Sequence, residues 1–492
     1  MKSNTVDTVS EEPNPKTGIK RMADFQRILF SGGFFSFISQ QKSWFPAFLV
    51  CIIFSISMMI SERRSMLFPE DIINGFFGKT VICTGVVFLL IHAAGLIWRM
   101  ILFHRYRPIP VVSDEQLPSC TVLVPAFNEG RQVLLTLKSL VTSDYPPNRM
   151  EIIAVDDGSA DSTWSWIKKA ESEFPGRIKA MKLPVNKGKR HALHAGILKS
   201  SGEILVTVDS DSVVLARTLR NLVGPFICDG RVGAVAGNVR VLNRRHGIIP
   251  RMLDVVFIYS FDFIRAGQSV VKTVMCTPGA LSAYRRSAAM TVLDEWLNQT
   301  FFGRPANIGE DRAMTNLILR EGFHVLFQQN ATVYTNVPTD YAVLCKMFLR
   351  WARSNIRETL AMSRFAFRRF RRGSMLGARV NLILGWISLI RSPLFFFTAA
   401  ALALFHPQVF GMTTVAGIII FSSLMAGLYL LQTRRIDALW AYAYGAFWIL
   451  GLSWIMPYAL VTPHRSGWLT RQLEHESYRV RTPILKEKAL RH

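Results

Sequence analysis

The chain has 492 residues, half of them hydrophobic, enough for a catalytic domain of ordinary size together with a membrane part. Lys plus Arg number 58 against 34 Asp plus Glu, a net charge of +24, which suits nucleic acid, anionic lipid or an anionic substrate. No nucleic-acid module is recognisable and apolar segments flank the middle of the chain, so lipid and substrate are the expected partners and nucleic acid is not.

Residues 1–43 are polar and basic, with 1–22 reading as a disordered cytoplasmic tail. No cleavable leader is visible, so the first apolar run is expected to stay as an anchor. Two transmembrane helices are expected within 44–102, at 44–60 and about 80–98, each able to cross a bilayer of ~30 Å. Arg99, Arg105 and Arg107 follow the second, which by the positive-inside rule makes the 103–361 domain cytoplasmic. Six cysteines (51, 83, 120, 228, 276, 345) show neither CxxC nor Cys/His spacing, so no disulfide framework or zinc site is suggested.

From Ser119 the pattern becomes short β runs, each followed by a helix-like segment. CTVLVPA, MEIIAVDDG, RIKAMKLP and EILVTVDSD read as strands. Their nearly continuous apolar character predicts parallel strands covered on both faces, in an open, mostly parallel α/β sheet. The site is then expected at the strand C-termini, where VPAFNE, DDGS and DSD all lie.

Asp209, Ser210 and Asp211 follow the strand ILVTV. Carboxylates at i and i+2 can share one hard cation with diphosphate oxygens, although two acids in a loop are more often simply solvated. Asp157 of DDGS can bond the base or ribose of a nucleotide, or cap the helix starting near Ser162. Lys187, Lys189 and Arg190 surround Gly188 in a loop suited to phosphate, or else form a solvated basic turn. In the GED segment (309–311), Asp311 is a candidate general base or a helix N-cap. Arg350, Trp351 and Arg353 offer a stacking platform beside cations, or an interfacial tryptophan.

Residues 362–378, with Phe365, Phe367 and Phe370 among five arginines, read as an amphipathic helix on the anionic leaflet; a solvated basic linker is the alternative. The segment 251–265 is either a second such helix or a buried core helix. Apolar runs follow at 379–405, 409–431 and 438–462. Basic residues before and after the last run put both its ends inside, so Pro457 is expected to make 438–462 a kinked re-entrant pair. Residues 463–492 are a basic cytoplasmic tail, making the whole a multi-pass protein of the cell membrane.

The ordered set VPAFNE, DDGS, NKGKR, DSD, GED and RW, flanked by two and then several membrane segments, resembles the family 2 processive glycosyltransferases over about residues 40 to 475. NKGKR, RWARSNIRE and SGWLTR are similar to the hyaluronan synthase and nodulation-type chitin-oligosaccharide synthase branch. The resemblance implies a GT-A fold and inverting transfer from a UDP-sugar with Mg2+ or Mn2+. Ala126, Asn128, Glu129 and Asp157 would surround the uridine, with Lys187, Lys189 and Arg190 near the nucleotide. Asp209, Ser210 and Asp211 would lie at the metal and diphosphate. Asp311 would be the base, and Trp351 would stack on the growing polysaccharide. Gly279, Glu310 and Arg350 would serve acceptor or diphosphate, and Trp468, Thr470 and Arg471 would close over it.

Three departures stand out. Met347 replaces the family's Gln in Q-x-x-R-W, residues 276–285 (CTPGALSAYR) differ from SGPLGMYR, and Leu469 replaces a small residue in the gate. The expected activity is processive polymerisation and export of a β-linked chain from UDP-N-acetylglucosamine, with UDP-glucuronate as a second donor if the product is hyaluronan. Transfer of one sugar to a lipid carrier, or an inactive translocation subunit, are the alternatives.

Overall fold

The computed structural model describes residues 75–110 and 112–465. The expected tail, the 44–60 span and the Trp468, Thr470 and Arg471 gate lie outside the described residues.

All four expected strands form: β1 (Cys120–Ala126), β2 (Met150–Asp156), β3 (Ile178–Lys182) and β4 (Ile204–Val208). β1 and β4 are buried throughout, as continuous apolar runs require. β3 departs from the expectation. It is an edge strand whose Lys179 and Lys182 are exposed, and those charges guard the open edge against pairing.

The sheet continues through strands not anticipated from sequence: β5 (Ser212–Val214), β6 (Val232–Val241) and β7 (Leu281–Arg285). After a separate hairpin of β8 (Thr300–Phe301) and β9 (Arg304–Pro305), β10 (His324–Thr335) completes it. The order is β3-β2-β1-β4-β7-β6-β10-β5. Pairs among β1 to β4 are parallel, as is β6 with β10; β7 is antiparallel to both its neighbours, and β5 to β10. This is the GT-A architecture, an open mixed sheet with helices on its faces. Because β7 runs backwards in register Val208↔Leu281, its entry lies at the same edge as the C-termini of β1, β2 and β4. Gly279 and Ala280 therefore arrive beside Asp209.

Segment 251–265 is the core helix of the two readings. The helix Ile248–Ile258 runs on into a π-helical turn Tyr259–Arg265, and Met252, Leu253, Val255, Phe257, Ile258, Phe261 and Phe263 are buried.

Three described helices are long and apolar enough to cross a membrane: Gly78–Arg105, Leu376–Phe405 and Pro407–Thr433. The pair Ile436–Leu452 and Ile455–Val461 is bent by 42°. Its break falls just before Pro457, which lacks the N–H that would bond Ser453 and crowds that carbonyl. Both ends of this pair touch the α/β domain: Asp437 lies 3.5 Å from Arg244, and Thr462 accepts from Arg353 at 3.0 Å.

The expected helix over 362–378 does not form. The helix Tyr341–Ser363 ends, and 364–375 is a turn leading to Leu376. Phe365 and Ala366 are pulled into the core, and Arg371 is buried, donating to the carbonyls of Lys272, Val271 and Ser374. Gly373, at φ +98°, turns the chain where other side chains are strained. Interleaved Phe and Arg thus divide by position, not by residue type: Phe365 and Arg371 turn inward while Phe367 and the other arginines face out.

Candidate active site

At the C-terminal edge of the sheet, Lys189 sits between two acids. Its Nζ is 2.5 Å from Asp209 Oδ1 and 3.1 Å from Glu310 Oε1, with a tenth of the side chain exposed. Burial acts against the ammonium, but Asp209 and Glu310 outweigh it and hold Lys189 above its ordinary value. Burial likewise opposes charge on Glu310, yet Lys189 and Arg350 hold it below the usual carboxylate range. Asp311 goes the other way: burial, then the neighbouring Glu310 charge, raise it. Two adjacent acids are thus shifted in opposite directions, Glu310 by its cationic neighbours and Asp311 by burial and the Glu310 charge.

Glu310 and Asp311 start the helix Glu310–Arg320, whose N-cap is Gly309 at φ +75°. Asp311 Oδ1 accepts the N–H of Arg312 at 2.8 Å, so it does carry part of the capping role. Its Oδ2 lies 3.6 Å from Cys276 Sγ. The helix Tyr341–Ser363 packs across this start. A Cβ on Gly309 would lie 1.9 Å from Ser354 Oγ, Arg312 donates to Asn355 at 2.9 Å, and Asn316 donates to Glu358. Trp351, one turn before Ser354, is 39% exposed and braced by Phe348 at 5.5 Å and Phe257 at 6.4 Å. Met347, in the family's Gln position, is buried in the core instead.

Asp209 and Asp211 follow β4. Asp211 Oδ1 accepts from Ser212 and Thr335, each at 3.3 Å; Thr335 is brought there by the β10–β5 pairing. Among the described residues no group of three or more His, Cys, Asp or Glu is arranged for a metal ion. The described residues offer Asp209 and Asp211 here, with Gly279 keeping space before Asp209: a Cβ there would lie 2.5 Å from Lys189 Nζ and 3.5 Å from Asp209 Oδ2. This oxygen donor set, with positions left for ligand, fits a hard divalent cation bound together with a diphosphate.

The residues expected around the nucleotide lie at and beyond the ends of β1 and β2. Asp157 accepts the N–H groups of Lys187 at 3.0 Å and Gly188 at 2.8 Å, and burial raises it despite those bonds. It therefore shapes the loop that presents exposed Lys187. Helix capping falls to Asp161, which accepts from Thr163 N at 2.9 Å and Gly130 N at 3.0 Å. Asn128, at φ 50°, accepts from Ala160 N at 3.0 Å and so ties the first loop to the second. The backbone of Glu129 is held by Thr163 Oγ1 at 2.8 Å.

Three of the expected site residues, Arg190, Ser210 and Ala126, have buried side chains. Arg190 stacks on Trp296 at 5.1 Å and donates to the Trp296 carbonyl and Gln299. The helix Lys189–Lys199 turns ~100° per residue, so Lys189 and Arg190 must diverge. Ser210 is fully buried, with Thr136 bonded to its carbonyl at 2.8 Å. Ala126 is buried too, its carbonyl taken by Asp157 N at 2.8 Å.

Sequence reasoning placed Arg353 beside Trp351 as a cation for phosphate and missed Arg357. Arg353 donates to Thr462, and Arg357 to the carbonyls of Pro463 at 2.7 Å and Arg465 at 3.0 Å. Both hold the end of the bent helix pair beside the site. Their i, i+4 spacing behind Trp351 was the available signal.

A family model described as glycosyl transferase family 2 matches residues 121–293. An N-acetylglucosaminyltransferase of Sinorhizobium fredii is 30% identical over 368 residues, 74% of this chain and 86% of that protein. N-acetylglucosaminyltransferases of Mesorhizobium japonicum and Rhizobium meliloti are 35% and 36% identical over 251 and 261 residues, about half of this chain. The chain spans 58% and 61% of the lengths of those two relatives. A solved mannosyltransferase from Pyrobaculum calidifontis aligns with 77% of this chain and 98% of its own at 21% identity, TM-score 0.48.

Proposed function

Because the chain belongs to glycosyl transferase family 2, we propose that it polymerises N-acetylglucosamine from UDP-N-acetylglucosamine at the Lys189–Asp209–Glu310–Asp311 cluster and passes the β-linked product through its membrane helices. The observation that carries this reading is Lys189 held between Asp209 and Glu310, with Asp311 beside Glu310 at the start of the same helix. That is a base next to a place for a leaving diphosphate.

Asp209 and Asp211 would hold a Mg2+ or Mn2+ ion. Such a cation neutralises charge that develops on the diphosphate as it leaves. Lys189 adds a second positive charge at the same edge, and exposed Lys187 a third. Asp311 takes the proton from an acceptor hydroxyl as that oxygen bonds the anomeric carbon. The bond from that carbon to the diphosphate breaks, UDP departs and the configuration inverts. Trp351 supports the acceptor sugar by stacking on its C–H face.

The membrane reading rests on where the basic residues lie. His92 and Arg391 approach to 3.4 Å, and a Cβ on Gly95 would be 3.0 Å from Leu384, so the helices Phe76–Arg105 and Leu376–Phe405 run antiparallel. Arg105 and Arg107 then share a level with the turn 364–375, which makes that face and the α/β domain cytoplasmic. The bent pair, tied to the domain at both ends, is re-entrant.

The test is product analysis. Purified protein in lipid is given UDP-sugars singly and in pairs, with Mg2+ or Mn2+. A polymer from UDP-N-acetylglucosamine is expected. A product of one sugar on a lipid overturns processivity, and no UDP release from any donor overturns the enzyme reading.

A further inference from the structure

We propose that the turn between the helices Tyr341–Ser363 and Leu376–Phe405 is a binding site for anionic phospholipid headgroups. Arg364, Arg368, Arg369 and Arg372 are all exposed there, and among the described residues none of their side chains has an acid or hydrogen-bond partner. Neighbouring cations are all engaged. Arg371 is spent on three carbonyls, Arg379 donates to the carbonyls of Ala366 and Phe367, and Arg231 and Lys272 both pair with Asp229. Among the described residues, four positive charges therefore stand within nine positions without compensation.

The turn is held in place, so these charges are not a floppy linker. Phe365 and Ala366 are buried, Phe365 packs edge-on against Phe370 at 5.3 Å, and Arg379 clamps the turn onto the start of the next helix. Phe367 is 58% exposed among the arginines, as an apolar side chain dipping below headgroups would be. The turn ends at Leu376, where a 30-residue candidate span begins. Leu384, the residue beside Gly95, is eight residues into that span, so the arginines lie ~12 Å or more from the level of that contact, toward one face. A phosphate diester carries the charge, and a membrane leaflet supplies it at that depth. The inference rests on the proposed membrane placement.

Electron spin resonance on the full-length protein with spin-labelled phosphatidylglycerol or phosphatidylcholine tests it, by the fraction of lipid whose motion is restricted. The wild type should restrict phosphatidylglycerol severalfold more than phosphatidylcholine, and salt should weaken the preference. R364Q/R368Q/R369Q/R372Q should abolish it, R368Q/R369Q should reduce it, and the equal-charge control K138Q/K168Q/K169Q/K199Q should keep it. Equal restriction of the two lipids by wild type, or a preference unchanged in the quadruple variant, overturns the site. Loss of the preference in millimolar inorganic phosphate at constant ionic strength would show a free-phosphate site and also overturn it. Restriction of neither lipid would instead refute the membrane placement.

Discussion

Replacing Gly279 with alanine adds one methyl at the crowded centre of the polar cluster. The backbone accepts it, since Gly279 is not among the positive-φ glycines. The new Cβ would lie 2.5 Å from Lys189 Nζ, against 3.4 Å or more for ordinary contact. Lys189 is flexible and would retreat by about 1 Å. Its separation from Asp209 would grow from 2.5 Å to about 3.5 Å. At an effective dielectric of ~20 that weakens the pair by ~2 kcal/mol. If the same charge supports the leaving diphosphate, turnover should fall ~30-fold. Calorimetry should show weaker UDP binding, and the thermal midpoint should fall modestly with the weakened ion pair. Wild-type turnover and UDP affinity in Gly279→Ala would refute the role given to Lys189.

Glu310→Gln removes the charge that, after burial, raises Asp311. The base works deprotonated, so turnover falls as pH drops through its pKa. Removing Glu310 should therefore move the acidic limb of the kcat profile to lower pH, and an unmoved limb would contradict the coupling. Asp211→Ala should weaken Mn2+-dependent UDP binding by about tenfold or more, read by calorimetry; unchanged affinity would count against a metal role. Gly309→Ala combines a left-handed φ of +75° with a Cβ 1.9 Å from Ser354 Oγ, and should cost ~2–5 kcal/mol, seen as a lower thermal midpoint. An unchanged midpoint would mean the two helices are not packed as described.

β1, β2 and β4 were legible because a strand covered on both faces needs an unbroken apolar run, and nothing else of that length fits. β6 escaped because Gly233 and Gly237 read as breakers. They serve close packing, since a Cβ at either would meet Phe323 at 2.6 Å or Leu281 at 2.4 Å. β10 escaped because Gln328, Gln329 and Asn330 look like loop. They sit at a register shift, where Gln328 is bonded both ways to Ile109 and Gln329 N donates to Tyr106 Oη. Without β6 and β7, the arrival of Gly279 beside Asp209 could not be foreseen.

For the site, spacing told which residues share a loop and not which way each points. Lys189 and Arg190 are neighbours, yet one meets two carboxylates and the other a buried tryptophan. Asp311 was legible from its place after Gly309. Its difference from Glu310 was not, because that depends on a lysine 122 positions earlier in the chain.

UDP release by wild type and Asp311→Asn, each purified in lipid with UDP-N-acetylglucosamine and Mn2+, tests the central claim most directly. The wild type should release UDP, whereas Asp311→Asn should lose at least about a hundredfold in rate while binding UDP with near-normal affinity. Near-normal turnover in Asp311→Asn would contradict the account.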